Sequence, residues 1–174
     1  MNPQPDYEIA YEIEIDVVDG STTDVDVADL ERAVIATLSH LGVDVAGLTI
    51  VIADDETVRQ MNQQYRHIDS ATDILSFPAG EGDEMFDLPP EIEEEVGDYL
   101  GDLIIAYPFT CAQAARYHNP IVNELRLLVV HGTLHLLGYD HDTEDRQREM
   151  WRIQGEVLSA LGDTSTNWER EYEA

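Results

Sequence analysis

The most constraining segment of this sequence is residues 121–137, which are apolar on nearly every side of a helix between Leu125 and Val130. A helix that is hydrophobic all round is stable only when other elements cover it. We therefore expect a buried central helix here, with the rest of the chain folded around it. The 174 residues suffice for this, since a domain of roughly 150 residues buries about 70 % of its unfolded surface.

The other segments predict a small sheet covered by helices. Residues 7–18 alternate acidic and apolar side chains, and a period of two is typical of a half-buried strand. Elsewhere, short β-rich runs alternate with apolar residues at helical spacing. The expected strands are residues 7–18, 48–53, 72–77 and 100–106, and the expected helices are residues 27–41, 54–65, 108–118, 121–137 and 143–161. This order predicts an α+β fold, a small mixed four-stranded sheet packed with about five helices.

We interpret the chain as one domain, residues 1–174, with its core at about residues 7–161. Residues 81–98 hold nine acids and no base, a composition typical of a solvated surface segment. We therefore expect a mobile acidic loop at about residues 80–98. Residues 162–174 are expected to form a short C-terminal tail.

The charge balance excludes several classes of partner. The chain carries 37 Asp and Glu against 9 Lys and Arg, all nine of them arginine, for a net charge of −28. Clustered basic residues supply most of the affinity for duplex DNA and for anionic membranes, so neither is expected as a partner. No apolar run approaches the ~20 residues of a membrane span, and the single Cys111 has no partner for an internal disulfide. Because residues 1–8 also lack the basic start of a signal peptide, we predict a cytoplasmic protein.

Three histidines, His131, His135 and His141, lie within eleven residues at the end of the central segment. Positions i and i+4 of a helix share one face, so His131 and His135 can meet at one ion. Gly138 is expected to end the helix in a left-handed conformation and to let the chain return His141 to that face. H-x-x-x-H-x-x-G-x-x-H is the ligand spacing of the metzincin metalloproteases. We predict a zincin-like metal helix with three histidine ligands and an open fourth position, which is typical of catalytic zinc.

One residue distinguishes this motif from that of the proteases. Their second motif position is a glutamate that acts as general base, and here it is Gly132. Zinc alone still lowers the pKa of a bound water to about 7, so hydrolysis of another substrate, or with a base from elsewhere, stays open. Asp140 is a nearby carboxylate, and it either supplies that base or has a structural role, in which it orients a ligand or caps the turn.

At residues 131–141, the sequence H-G-T-L-H-L-L-G-Y-D-H resembles the H-G-x-L-H-L-x-G-Y-D-H signature of the YbeY family, bacterial single-strand-specific metallo-endoribonucleases. Two further blocks resemble the same family. The first is N-Q-Q-Y-R at residues 62–66 followed by T-D-I-L-S-F-P at residues 72–78, and the second is L-G-D-L-I at residues 100–104. Together with the order of elements, the similarity spans about residues 7–161.

The resemblance implies a specific site and reaction. It implies that His131, His135 and His141 bind one Zn²⁺, that His131 takes part in catalysis, and that Arg66 is the functionally important arginine of the family. The implied reaction is zinc-dependent cleavage of single-stranded RNA, in 16S rRNA 3′-end maturation and ribosome quality control, with the 16S rRNA precursor and ribosomal particles as partners. A guanidinium suits such a role because it binds phosphate through paired hydrogen bonds. On the residues alone, Arg66 as an ordinary surface arginine stays open.

Two other functions also stay open. One is a zinc hydrolase of another class, such as a peptidase or amidase, and the other is a non-catalytic ribosome-biogenesis module whose zinc only stabilises the fold. The missing motif glutamate counts against a peptidase, and the open coordination position counts against purely structural zinc.

Several weaker candidates surround these motifs. Ser76 and Asp73 are expected to line the cleft, while Phe77 either stacks on a base or packs as a buried strand aromatic. Three histidines without companion spacing are interpreted as ordinary: His40, His67 and His118. Five arginines near the histidine helices either form a local positive rim or pair with acids: Arg116, Arg126, Arg146, Arg148 and Arg152.

The excess of acids without any lysine is interpreted as a surface adaptation to a salty cytoplasm, because salt screens the repulsion between like charges. We expect the melting temperature, followed by circular dichroism, to rise markedly between low and molar salt. A melting temperature that stays flat across the series would contradict this interpretation.

Overall fold

The computed structural model describes residues 10–18, 25–80 and 98–163. These residues form four strands and five helices in the expected order: β1 (Ala10–Val17), α1 (Val27–His40), β2 (Val45–Ala53), α2 (Asp55–Arg66), β3 (Ile74–Pro78), β4 (Tyr99–Ala106), α3 (Tyr107–Arg116), α4 (Ile121–Leu136) and α5 (Glu144–Ala160). None of the described helices has the length and apolar character needed to span a membrane. The acidic loop and the C-terminal tail fall almost entirely outside the described residues, so they and the single-domain division stay predictions.

The four strands form one sheet in the order β1-β2-β4-β3. β1, β2 and β4 run parallel, whereas β3 runs antiparallel to β4 at the edge of the sheet. The expected mixed sheet is therefore confirmed. β2 begins at Val45 rather than at the predicted Leu48, because Val45 already pairs with Ala10 of β1.

Helices α1, α4 and α5 cover one face of this sheet, with α4 in the middle of the core. Every residue of α4 from Leu127 to Leu134 is buried, which confirms the buried central helix. The core joins side chains of two strands to those of the helices: Leu48, Ile50 and Ile52 of β2, Leu103 and Ile105 of β4, Leu30, Val34 and Leu38 of α1, and Met150, Ile153 and Val157 of α5.

The opposite face carries a smaller core beneath α2. Its buried members come from three strands and from α2, and Phe77 of β3 packs against them: Ala53, Val58, Leu75, Ile104 and Ala106. α2 begins where the side chain of Asp54 accepts the N–H of Thr57 at 2.7 Å, since a carboxylate at this position satisfies one of the unpaired donors of the first turn. α2 ends at Arg66, next to β3.

Two polar clusters hold the N-terminal half of α4. In one, Arg126 donates to both carboxylate oxygens of Asp29 on α1, at 3.2 and 3.0 Å. In the other, the fully buried Glu124 accepts from Gln113 of α3 at 3.0 Å and from Asn119 at 3.1 Å. A buried carboxylate without such donors is costly. These bonds therefore fix α4 relative to α1 and α3.

Further along, α4 packs tightly against the sheet at Gly132. A Cβ atom at this position would lie 2.8 Å from Cδ2 of Leu103 and 2.9 Å from Cδ1 of Ile74. Glycine therefore lets the helix backbone lie against β3 and β4. The absence of the protease glutamate at this position has a packing reason, because a side chain there would enter the core.

Replacing Gly132 with Glu should lower the free energy of unfolding by about 3 kcal/mol or more, because it overpacks the core and buries a carboxylate there. Chemical denaturation measures the loss. The matched control is Val122→Glu, at an exposed position of the same helix, which we expect to change stability by about 0.5 kcal/mol or less. Equal stability of the two variants would refute the packing explanation.

Candidate metal centre

The structure brings the three histidines of the motif together. His131 and His135 lie one turn apart on α4, and His141 follows in the segment between α4 and α5. One nitrogen of each imidazole lies within 4.8 Å of those of the other two. The Nε2 atoms of His131 and His135 are 3.0 Å apart.

The return of His141 depends on the turn at Gly138. Gly138 has a φ of 98°, a left-handed conformation that glycine adopts without a steric penalty. The N–H of Tyr139 donates to the carbonyl of Leu134 at 3.0 Å, which closes the end of α4. Asp140 then accepts the N–H of His141 at 2.7 Å, so its side chain makes the turn contact, one of the two roles that the sequence left open.

The donor set fits a single metal ion. Two nitrogen ligands 2.0–2.1 Å from a tetrahedral ion lie roughly 3.3 Å apart, close to the 3.0 Å that separates the Nε2 atoms of His131 and His135. Within residues 10–18, 25–80 and 98–163, no second group of histidine, cysteine and carboxylate side chains converges in this way. The cluster therefore has the geometry of a metal site.

Hydrogen bonds on the far side of two rings fix their orientation. Nδ1 of His131 lies 3.0 Å from Oε1 of the fully buried Gln154, and Nδ1 of His135 lies 3.0 Å from the carbonyl oxygen of Tyr139. The carbonyl of Tyr139 only accepts, and the amide of Gln154 is placed with its oxygen towards His131, so this arrangement assigns the proton of each ring to Nδ1. This leaves each Nε2 as an unprotonated donor of electrons towards a metal.

The electrostatic surroundings favour a neutral His135. Burial lowers the pKa of its imidazole, and the neighbouring His141 lowers that pKa further. Asp140 acts in the opposite direction with a smaller effect, and the charge of Arg66 adds to the lowering. A lowered pKa keeps the ring neutral at pH 7, in the form that binds metal.

An open cleft of about 360 Å³ lies over the three histidines. The segment with His141 and Asp140 forms one wall, and β3 with the residues that lead into it forms another. Asp73 and Ser76 line this second wall as expected. Phe77 does not line the cleft but packs on the smaller core. This agrees with its interpretation as a buried strand aromatic.

Arg66 reaches the cleft from the last turn of α2. Its Nη2 donates to the carbonyl of Ser76 at 2.6 Å, and its Cζ lies 5.6 Å from the ring centroid of Phe77. It has no carboxylate within 4.0 Å among the residues that the structure describes. Six other described arginines do have one: Arg32 with Asp29, Arg59 with Glu56 and Asp69, Arg126 with Asp29 and Asp163, Arg146 with Asp142, Arg148 with Asp145, and Arg152 with Glu149 and Glu156.

These ion pairs also show which of the two interpretations holds for the arginines of the predicted positive rim. Four of its five arginines, Arg126, Arg146, Arg148 and Arg152, pair with acids, and of the five only Arg146 lines the cleft. The alternative of pairing with acids therefore holds for most of the group. The ordinary interpretation of His40 agrees with its place, because it lies at the surface, 2.7 Å from Glu156.

The N-Q-Q-Y-R block has a structural basis in the turn after α2. The buried Asn62 donates its side-chain N–H to the backbone carbonyl of Ser70 at 2.9 Å. The backbone carbonyl of Asn62 accepts the N–H of Ile68 at 3.3 Å. His67 between them adopts a φ of 60°. The turn therefore leads the chain back into β3, so that the strand lies beside Arg66.

Two residues of the site escaped the sequence analysis. Gln154 interrupts the apolar stripe of α5 between Ile153 and Val157, and a polar residue on a core face is a signal that points to a buried partner. Trp151 gave no such signal. Its ring centroid lies 6.0 Å from that of His131 and 5.5 Å from that of His141, so it packs beside the metal-facing rings.

Replacing Gln154 with Leu should weaken metal binding about 10- to 100-fold, because His131 loses the acceptor that fixes its tautomer and ring orientation. Competition with a chromophoric chelator measures the affinity for added Zn²⁺ or Co²⁺. Gln154→Glu keeps the acceptor and is the matched control. An unchanged affinity in Gln154→Leu would show that the bond does not orient the ligand.

Comparison with known proteins finds one matching family and several similar sequences. The model of the Endoribonuclease YbeY family matches residues 14–162. The sequence is 41 % identical over 154 residues to the Endoribonuclease YbeY of Roseiflexus sp. strain RS-1, covering 86 % of this chain and 92 % of the relative. It is 35 % identical over 162 residues to that of Halalkalibacterium halodurans, covering 87 % and 98 %.

The fold has a counterpart among solved structures. It is similar to the solution structure of TM1509 from Thermotoga maritima, with a TM-score of 0.55 and 20 % identity, over 91 % of this chain and 99 % of that one. At that identity the likeness concerns the fold alone. Because the family model spans most of the sequence and the relatives align over most of their length, the chain belongs to the Endoribonuclease YbeY family.

Proposed function

We propose that this chain is a metal-dependent endoribonuclease that cleaves single-stranded RNA. The observation that carries the proposal is the pairing of a three-histidine cluster with Arg66 in one open cleft. The physiological substrate that we propose is the 16S rRNA precursor, in 3′-end maturation and ribosome quality control on ribosomal particles in the cytoplasm. The proposal takes this activity from relatives named Endoribonuclease YbeY and assigns it to residues of this chain.

We propose that His131, His135 and His141 hold one Zn²⁺. Three neutral nitrogens with an open fourth position are the donor set of catalytic zinc rather than of a closed structural site. When bound, the ion supplies Lewis-acid polarisation of a phosphoryl oxygen and lowers the pKa of water. His131 is 3 % exposed, so it lies at the floor of the cleft, with His135 and His141 nearer to solvent.

Arg66 is the residue that we assign to the phosphate. One Nη2 hydrogen bond to the Ser76 carbonyl holds the guanidinium in place, and a guanidinium has five N–H donors. The remaining donors can bind a phosphate in the cleft and offset the charge that develops during cleavage. In a chain with a net charge of −28, an arginine without a described carboxylate partner is available to an anionic ligand.

Two features of the cleft count against the peptidase alternative. Gly132 packs against Leu103 and Ile74, so the position of the protease general base lies inside the core. In addition, an extended peptide binds an exposed strand edge through main-chain hydrogen bonds, and here Arg66 already occupies the carbonyl of Ser76 on β3. The edge strand therefore offers a peptide an incomplete ladder.

Replacing Arg66 with Ala should reduce kcat/KM for single-stranded RNA about 100-fold, because the contact to the phosphate is lost. Bound metal and melting temperature should stay unchanged. The matched control is Arg148→Ala, since Arg148 is exposed and its one carboxylate partner among the described residues is Asp145 on its own helix. Equal activity of the two variants would leave Arg66 as an ordinary surface arginine.

One assay distinguishes the endoribonuclease, the peptidase and the non-catalytic module. Wild-type protein is incubated with single-stranded RNA, duplex RNA and casein, each with and without chelator. We expect chelator-sensitive cleavage of single-stranded RNA, and loss of that activity in His131→Ala purified in parallel as the test for contaminating nuclease. Cleavage of casein with intact RNA would establish the peptidase. No cleavage, together with a melting temperature that falls on metal removal, would establish the non-catalytic module.

A further inference from the structure

We propose that Tyr65, with Phe77 and Arg66, forms a subsite for an unpaired nucleobase of the strand whose phosphate lies in the cleft. The inference rests on the proposed function, because it names the part of the RNA that this flank of the site would recognise. The subsite lies on the α2 side of β3, next to the metal cleft rather than within it.

The three side chains form one continuous cluster. The rings of Tyr65 and Phe77 are 5.4 Å apart at 70°, an edge-to-face contact, and Cζ of Arg66 lies 5.6 Å from the centroid of the Phe77 ring. Phe77 is itself held by the smaller core of the sheet. The cluster therefore has a fixed base in the fold.

The exposure of Tyr65 sets it apart from the rest of the described surface. The residue is 46 % exposed, and it is the one aromatic among the exposed large hydrophobic residues that the structure describes. A single exposed apolar residue needs no special explanation. Here, however, the exposed ring lies in the same cluster as Arg66, which lines the metal cleft. A ligand bound at Arg66 therefore lies next to an exposed aromatic ring.

The ligand that fits this arrangement is a nucleobase. Bases stack on aromatic rings and on guanidinium planes, and the stacking tolerates any sequence because every base has a π-face. Arg66 can bind a phosphate through its N–H edge while Phe77 supports its plane, so charge and stacking are recognised side by side. In a duplex the faces of a base are covered by its neighbours. The subsite would therefore discriminate against paired RNA without reading its sequence.

The test uses metal-loaded full-length protein and a short single-stranded RNA with one mapped cleavage site. Tyr65→Ala should raise KM about 10-fold, whereas Tyr65→Phe and Tyr65→Trp should restore it, since either ring can stack. Bound metal and melting temperature should not change. The matched control is Ile68→Ala, three residues further along and also exposed, which should behave like wild type.

A set of the same RNA with a single abasic nucleotide at each position near the cut links the effect to a base. At one position, loss of the base should weaken cleavage by wild type about 10-fold but by Tyr65→Ala little further, which is the signature of two partners in contact. Equal penalties in both proteins at every position, or wild-type KM in Tyr65→Ala, would overturn the subsite.

Binding of the same RNAs, measured by fluorescence anisotropy, separates this inference from the proposed function. If wild type binds but cleaves no RNA, the endoribonuclease proposal fails, and the dissociation constants still decide the subsite. A tenfold weaker Kd for Tyr65→Ala on intact RNA, absent on the abasic RNA, supports it. Equal Kd values for wild type and Tyr65→Ala contradict it.

Discussion

The metal centre depends on how closely α4 lies against the sheet. At Gly132 the helix has no side chain, and the ends of Leu103 and Ile74 occupy the space where a Cβ would stand. Ile74 also lines the cleft, so one contact sets both the core packing and the separation between the histidines and β3. Because interiors are packed as densely as crystals, this distance cannot relax without disturbing the whole layer.

The same contact explains why the histidines and the arginine of the site lie on two different walls of the cleft. Since the helix cannot carry a glutamate between its histidines, the candidate metal-binding histidines stand on one side and the guanidinium of Arg66 comes from α2 on the other. Asn62 closes the turn that brings β3 back towards Arg66, and the Ser76 carbonyl holds the guanidinium. A negatively charged backbone running between these walls would meet a metal and a guanidinium at once. A peptide backbone is neutral, so it would gain nothing from the charge of the guanidinium. It also could not pair fully with the edge of β3, because Arg66 occupies the Ser76 carbonyl.

The parts of this arrangement that sequence could predict are local. The all-round apolar character of residues 121–137 predicted the buried helix, and the spacing of His131 and His135 predicted their shared face. The glycine at 138 predicted the return of His141, because a left-handed residue is a property of the local backbone. The strand order β1-β2-β4-β3 depends on pairings between distant segments, for which the sequence has no periodic signal. The bond from Gln154 to His131 likewise joins two helices through geometry that no spacing encodes.

The distribution of ion pairs has a consequence for kinetics. Six of the eight described arginines are paired with neighbouring carboxylates, so the field that reaches beyond the surface is that of the surplus acids. An RNA strand approaching from a distance is therefore repelled, and it gains attraction only within contact range of the cleft. Most nucleic-acid enzymes associate faster at low ionic strength because a positive field steers the substrate inwards. For this protein the association rate constant should instead climb as salt shortens the reach of the repulsion, up to the concentration at which the contacts in the cleft are themselves screened.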